Sequence, residues 1–344
     1  MARGPRRHAP APRVGAGLSP RASRRILVVV SATKAIHFTD PACPWAYSAR
    51  PAHARLQWRF GDQIEWQLVL IGLSESADAY EARGYTPERL LDTQHRFSAR
   101  FGMPYSFELK PRMSATARAC RAIVAAREVD PALAEAALRA LQLMHFTTAG
   151  LLDDDESIRA ALSKVPRLDA DAVVGRIDDP EVVAAYEADR AHARSAEGSP
   201  THAQDRFSTS DGPVRYTAPS VIFEAADGSR LEVGGFQPFE AYDTALANLD
   251  VTLKRRRAPA SALEALDTFP EGLTTAELAS VMRPSDLVDA DFETTTAELA
   301  ELAAAGTVAR NPAGTDAVWR ATGAAAGGEA VSKVAAAGSS QQQH

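Results

Sequence analysis

Apolar positions change their spacing along this chain in an order that outlines its elements. AIHFTD, from Ala35 to Asp40, is a short apolar run that predicts a strand. The next stretch, PWAYSARPAHARLQWRFG, predicts a helix that stops at Gly61, a residue suited to a C-terminal cap. IEWQLVLIGL, from Ile64 to Leu73, is mostly apolar and predicts a second strand. A strand, helix and strand in this succession normally pair their strands in parallel.

From about Thr86 to Ala203 the pattern is helical, with starts at Thr86-Pro87-Glu88 and Asp179-Pro180-Glu181, each an N-cap followed by proline and an acid. Strand character returns in APSVIFEA and, after the turn Ala226-Asp227-Gly228-Ser229, in RLEVGGF, which together read as an antiparallel hairpin. A helix from Pro238 to Leu249 follows. After the basic run LKRRRAP come three further helical patterns, ALEALDTF, LTTAELASVM and TTTAELAELAAAG, and the hairpin-like TVARNPAGTDAVWR. That order matches a winged helix. The expected organisation is a basic tail without fixed structure (1–33), an α/β domain (34–252) with a helical insertion at about 77–205, a basic linker (253–258), a winged-helix-like domain (259–322) and a second unstructured tail (323–344).

Composition narrows the function. At 344 residues with 45% hydrophobic residues, the chain can bury a real core, and its net charge of −6 gives no general attraction to phosphate backbones. The winged-helix-like part carries eleven acids against three arginines between Pro259 and Arg320, and its third helix has five acids and no base, so nucleic acid is an unsuitable partner. A packing or partner-binding role, such as a homodimer contact, fits it better. Two cysteines, Cys43 and Cys120, cannot build a disulfide framework, and metal-ligand spacing is missing, so no metal site is expected. The apolar run Ile26–Ala32 is at or below the short limit for a signal-peptide core, and no run approaches the length of a membrane span, so a cytoplasmic location is expected.

The chemistry centres on FTDPACPWAYSA, where Cys43 precedes Pro44 at a helix start. Backbone N–H groups and the positive end of the helix dipole at such a position favour thiolate over thiol, which predicts an ionised nucleophile. DPACPW (Asp40 to Trp45), Pro51 in the following helix, and TAPS (Thr217 to Ser220) before a hairpin resemble the DsbA family of thioredoxin-fold proteins, in particular its FrnE-like branch, over roughly Ile36 to Leu249. The resemblance implies a thioredoxin-like fold, a catalytic Cys43 and a cis-proline at Pro219. It also implies a substrate surface made by Pro44, Trp45, Ala218 and Pro219. Ala46 stands where the family's second cysteine would be. A monothiol site needs another thiol to resolve its mixed disulfide, either a low-molecular-weight co-substrate or a cysteine of the substrate itself, with Cys120 the only candidate within the chain.

The implied activity is thiol-disulfide exchange on a protein or small-molecule substrate, without a tightly bound cofactor. The same segment is similar to kappa-class glutathione transferases and 2-hydroxychromene-2-carboxylate isomerases, which implies thiol-dependent transfer or isomerisation as an alternative. A non-catalytic thioredoxin-fold binding protein is the third.

Overall fold

β1 (Thr33–Thr39) is buried along almost its whole length, because it lies in the interior of a four-stranded sheet of order β2-β1-β5-β6. It runs into α1 (Pro44–Ser48) and α2 (Arg50–Phe60), and the chain returns through β2 (Ile64–Leu70), parallel to β1 with Thr33 opposite Ile64 and Thr39 opposite Leu70. The computed structural model describes residues 33–323, together with Met1 and Gly4. The expected tails, apart from Met1, Gly4, Thr33 and Gly323, and the Ile26–Ala32 run lie outside them. The single predicted helix after Cys43 is divided at Ala49, and Pro51 falls in the first turn of its second part, where a missing N–H costs nothing.

The inserted segment forms α3 (Ala77–Glu81), α4 (Pro87–Phe101), α5 (Ala117–Val129), α6 (Leu133–Thr147), α7 (Asp155–Leu162), α8 (Ala170–Gly175), α9 (Pro180–Ala193) and α10 (Pro200–Ala203). Thr86 caps α4 by accepting from the Arg89 N–H, as its sequence position suggests. Asp179 occupies the N-cap of α9 without a capping bond, since its carboxylate accepts from Arg176 Nε instead. The alanine-rich face of α5 packs with α6 and α9 against Leu68 and Leu70 of the sheet, forming one large core.

A two-residue ladder, β3 (Phe207–Ser208) with β4 (Arg215–Tyr216), then leads into β5 (Ser220–Glu224) and β6 (Arg230–Val233), the predicted hairpin. α11 (Phe239–Leu249) covers the other side of the sheet with α2 through Leu56, Phe60, Tyr242 and Leu246. The ladder has no sequence signal, because two-residue strands carry too little periodicity to register.

The C-terminal segment contains α12 (Ala262–Thr268), β7 (Leu273–Thr274), α13 (Thr275–Met282), α14 (Phe292–Ala304), β8 (Val308–Ala313) and β9 (Asp316–Ala321), with a sheet of order β7-β9-β8. Its core takes in Ala54 and Trp58 of α2. The Lys254–Arg257 run is exposed, as a linker should be, yet it is tied down. Arg256 stacks over the Trp58 ring at 3.4 Å, and the Trp58 indole donates to the Arg257 carbonyl at 2.7 Å. On another side, Tyr47 of α1, Tyr105, Phe146 and Ala276 of α13 share a small apolar cluster.

The β8–β9 turn seats directly on this region: Gly314 has φ +51°, and a Cβ there would come within 2.4 Å of the Tyr105 carbonyl oxygen. Gly314→Ala should therefore cost on the order of 1–3 kcal/mol, read as a lower urea midpoint. An unchanged midpoint would mean that the turn can lift away freely.

Candidate active site

The antiparallel pairing of β1 with β5 sets Phe38 opposite Ser220, so the C-terminal end of β1 and the segment entering β5 emerge at the same edge of the sheet. One carries Cys43 and the other carries Ala218 and Pro219, whose peptide bond is cis. The Cys43 Sγ donates to the Ala218 carbonyl at 3.1 Å. Strand register thus brings residues 175 positions apart to the same edge, where they meet.

Asp40 builds the turn that aims Cys43. Its backbone carbonyl accepts from the Cys43 N–H, and its carboxylate accepts from the N–H of Ala42 at 2.9 Å and of Leu73 at 2.9 Å and from the Thr116 hydroxyl at 3.1 Å. Cys43 is the N-cap of α1 with extended backbone angles, and Pro44 opens the helix. His37 lies one strand position from this face: Ile36 and Phe38 share the apolar cluster of Cys43, while the His37 ring meets His53 of α2 on the opposite side at 4.7 Å.

The expectation of an ionised sulfur does not hold in this geometry. Cys43 is only 7% exposed and sits among Phe38, Ala46, Val69, Ile71, Tyr216 and Ala218. Burial pushes its thiol up from an ordinary 9.0 to about 11, with the nearby Asp40 charge adding to the rise. The N–H groups of Ala46 and Trp45 at the helix start, and the Arg215 guanidinium, pull in the other direction and are outweighed. The helix-tip effect is present, but desolvation is larger, and the bond to Ala218 satisfies the protonated form.

The remaining sequence candidates separate. Trp45 is 39% exposed and packs edge-on to Phe97 at 4.8 Å and near Phe236 at 5.4 Å, forming an aromatic surface beside Cys43. Pro44 is partly exposed next to it. Tyr47 turns into the core, stacked on Phe146, and donates to the Pro104 carbonyl. Ala46 is buried in the same cluster as Cys43. Cys120 is free and fully buried; its sulfur points at the Asp40 carboxylate at 3.8 Å, and burial, then Asp40, pushes its thiol well up.

Arg215 was not legible in the sequence. It is buried, bonded to Asp211 at 2.6 Å, and supplies a positive charge to both Cys43 and Asp40. Its only sequence signal is its place three residues before Ala218. A groove of about 660 Å³, lined by Ser48, Ala49, Phe101, Phe236, Phe239 and Phe292 among others, flanks the α1–α2 junction. No group of three His, Cys, Asp or Glu among the described residues could hold a metal ion, and no described helix is long and apolar enough to cross a membrane.

Comparison with curated proteins gives no match. Among solved structures, the chain is similar to a protein of Nitrosomonas europaea designated a protein disulfide isomerase, with 16% identity and a TM-score of 0.50, over 63% of this chain and 97% of the other. It is also similar to the cytosolic disulfide reductase DsbM of Pseudomonas aeruginosa, with 17% identity and a TM-score of 0.44, over 63% and 100%. A third is a 2-hydroxychromene-2-carboxylate isomerase, with 15% identity and a TM-score of 0.39, over 63% and 95%. At 16% identity the first of these likenesses bears on fold alone. The DSBA-like thioredoxin domain family matches residues 35–210, just over half of the chain and including the whole Cys43 segment, and this protein belongs to that family.

Proposed function

We propose that the protein is a thiol-disulfide oxidoreductase working through Cys43 alone. The observation that carries this reading is the Cys43 sulfur at the start of α1, 3.1 Å from the Ala218 carbonyl beside the cis Pro219. A substrate backbone can pair beside that peptide while its disulfide approaches the sulfur. Cys43 loses its proton to solvent and its thiolate attacks one sulfur of the substrate disulfide. A mixed disulfide forms, and the other substrate sulfur leaves as a thiolate and takes up a proton. Ala46 cannot resolve this intermediate, and Cys120, turned to Asp40, is poorly prepared to do so. A second, low-molecular-weight thiol therefore attacks the mixed disulfide and frees Cys43. The exposed Trp45, backed by the half-buried Phe97 and Phe236, supplies apolar contact for the substrate, and two free cysteines suit a reducing cytoplasm.

The C-terminal segment is read as a winged-helix-like module, on its succession of helix, strand, two helices and two strands. Its contacts with α2 support a packing role.

A second reading has one observation in its favour. The Trp45 and Ala46 N–H groups, which face the Cys43 sulfur at the start of α1, would serve the sulfur of a bound thiol in the same way, as a thiol-dependent transferase or isomerase requires. Oxidised glutathione separates the two. Incubation at alkaline pH followed by intact-mass analysis should show one glutathione adduct, lost in Cys43→Ala and kept in Cys120→Ala. No adduct on the folded wild type, or one that persists in Cys43→Ala, would sink the exchange mechanism.

A further inference from the structure

We propose that the cavity between α6 and the β8–β9 hairpin binds a small organic anion with an apolar body, a medium-chain carboxylate in character. It measures about 470 Å³, within the span of ~300–1,000 Å³ common for small-molecule sites. The space exists because α6 presents Ala136 and Ala140, one helical turn apart, where larger residues would close the gap to the hairpin. Leu143, Met144, Val165 and Val318 supply apolar wall.

Its charge pattern selects the ligand. Arg320, half-buried in the lining, donates from Nε to the Glu271 backbone carbonyl at 3.0 Å, and its terminal nitrogens have no carboxylate partner among the described residues. Burial and then the nearby Arg139 lower its pKa, and the opposing charge of Glu271 does not offset them. Arg139 is 3% exposed; both of its terminal nitrogens hold Glu277, and its Nε is buried without a partner among the described residues. Lys164 adds a cation on the exposed side. Glu271 is the one acid in the lining, and burial raises its pKa, which weakens its opposition to an incoming anion. A carboxylate on Arg320 with its chain along Leu143 and Val165 pairs the guanidinium and fills the apolar volume together.

Calorimetric titration of the full-length chain with decanoate tests this, with acetate (charge without chain) and decyltrimethylammonium (chain with opposite charge) as comparisons. Decanoate should bind one per chain and raise the melting temperature, and both comparisons should bind at least about tenfold more weakly. Arg320→Gln should weaken decanoate by about 10-fold or more, and Ala140→Phe should remove binding by filling the space. Absence of binding to the wild type overturns the proposal. So does equal affinity for decanoate and decyltrimethylammonium, or an Arg320→Gln protein that binds decanoate as well as the wild type. Arg320 is only half-buried, on β9, so its variant remains decisive even if Ala140→Phe fails to fold.

Discussion

Glu277→Gln should lower the unfolding free energy by about 3–5 kcal/mol, the range for removing one partner of a buried ion pair. Glu277 has no solvent exposure and receives Arg50 Nε at 3.0 Å on one oxygen and Arg139 on both. It is also the third residue of a capping box, accepting from the Thr274 N–H at 2.8 Å. Arg50 keeps Glu135 at 3.0 Å as a second counter-charge, whereas Arg139 has no other carboxylate partner among the described residues. Burial by itself would raise the Glu277 carboxyl, but Arg139 and Arg50 outweigh it and hold it at about 2, below an ordinary 4.5. A depressed carboxyl contributes stability that is complete above the unfolded value and is lost as pH falls toward the folded one. The difference in urea midpoint between wild type and variant should thus be full at neutral pH and shrink between about 4.5 and about 2. A gap under about 1 kcal/mol at neutral pH, the scale of an exposed pair, would mean that the cluster is hydrated and not a junction of α2, α6 and α13.

Alkylation of Cys43 by iodoacetamide should accelerate about tenfold per pH unit from neutrality until the thiol titrates, because only the thiolate reacts. With that thiol pushed up to about 11 by burial, the rise continues well past the ordinary 9.0 at which an unperturbed cysteine levels off. Cys120, without exposure and with its thiol pushed well up, should stay unmodified while the fold persists, which circular dichroism at each pH would monitor. The same shift has a stability consequence of opposite sign to that of Glu277. A raised thiol favours the folded state fully below the unfolded value of 9.0 and loses that contribution as pH climbs toward about 11. A rate that plateaus near neutral pH would show that the helix start and Arg215 prevail over desolvation. The proposed exchange chemistry would then be fast in the resting protein.

Much of the architecture was readable because each element carries its own period. The β1, α1–α2 and β2 succession, the inserted helices, the β5–β6 hairpin and the C-terminal order all come from local spacing and caps such as Thr86 and Gly61. That Cys43 and Pro219 fall at ends of strands was readable too, through short motifs that resemble those of the DsbA family. Arg215, the Phe97 and Phe236 partners of Trp45, and the Arg50–Glu277–Arg139 cluster were not. Arg50 and Glu277 lie 227 positions apart, and no local pattern tells a charge that will be buried from one that will be solvated.

The same division explains the Cys43 thiol. Sequence alone determined that a sulfur would stand at a helix start after a strand, because helix caps and dipoles are properties of neighbouring residues. Only tertiary packing decided its protonation, since the walls that desolvate it come from β1, β2, the β4–β5 segment and the inserted helices, and desolvation is the sum of what all of them exclude.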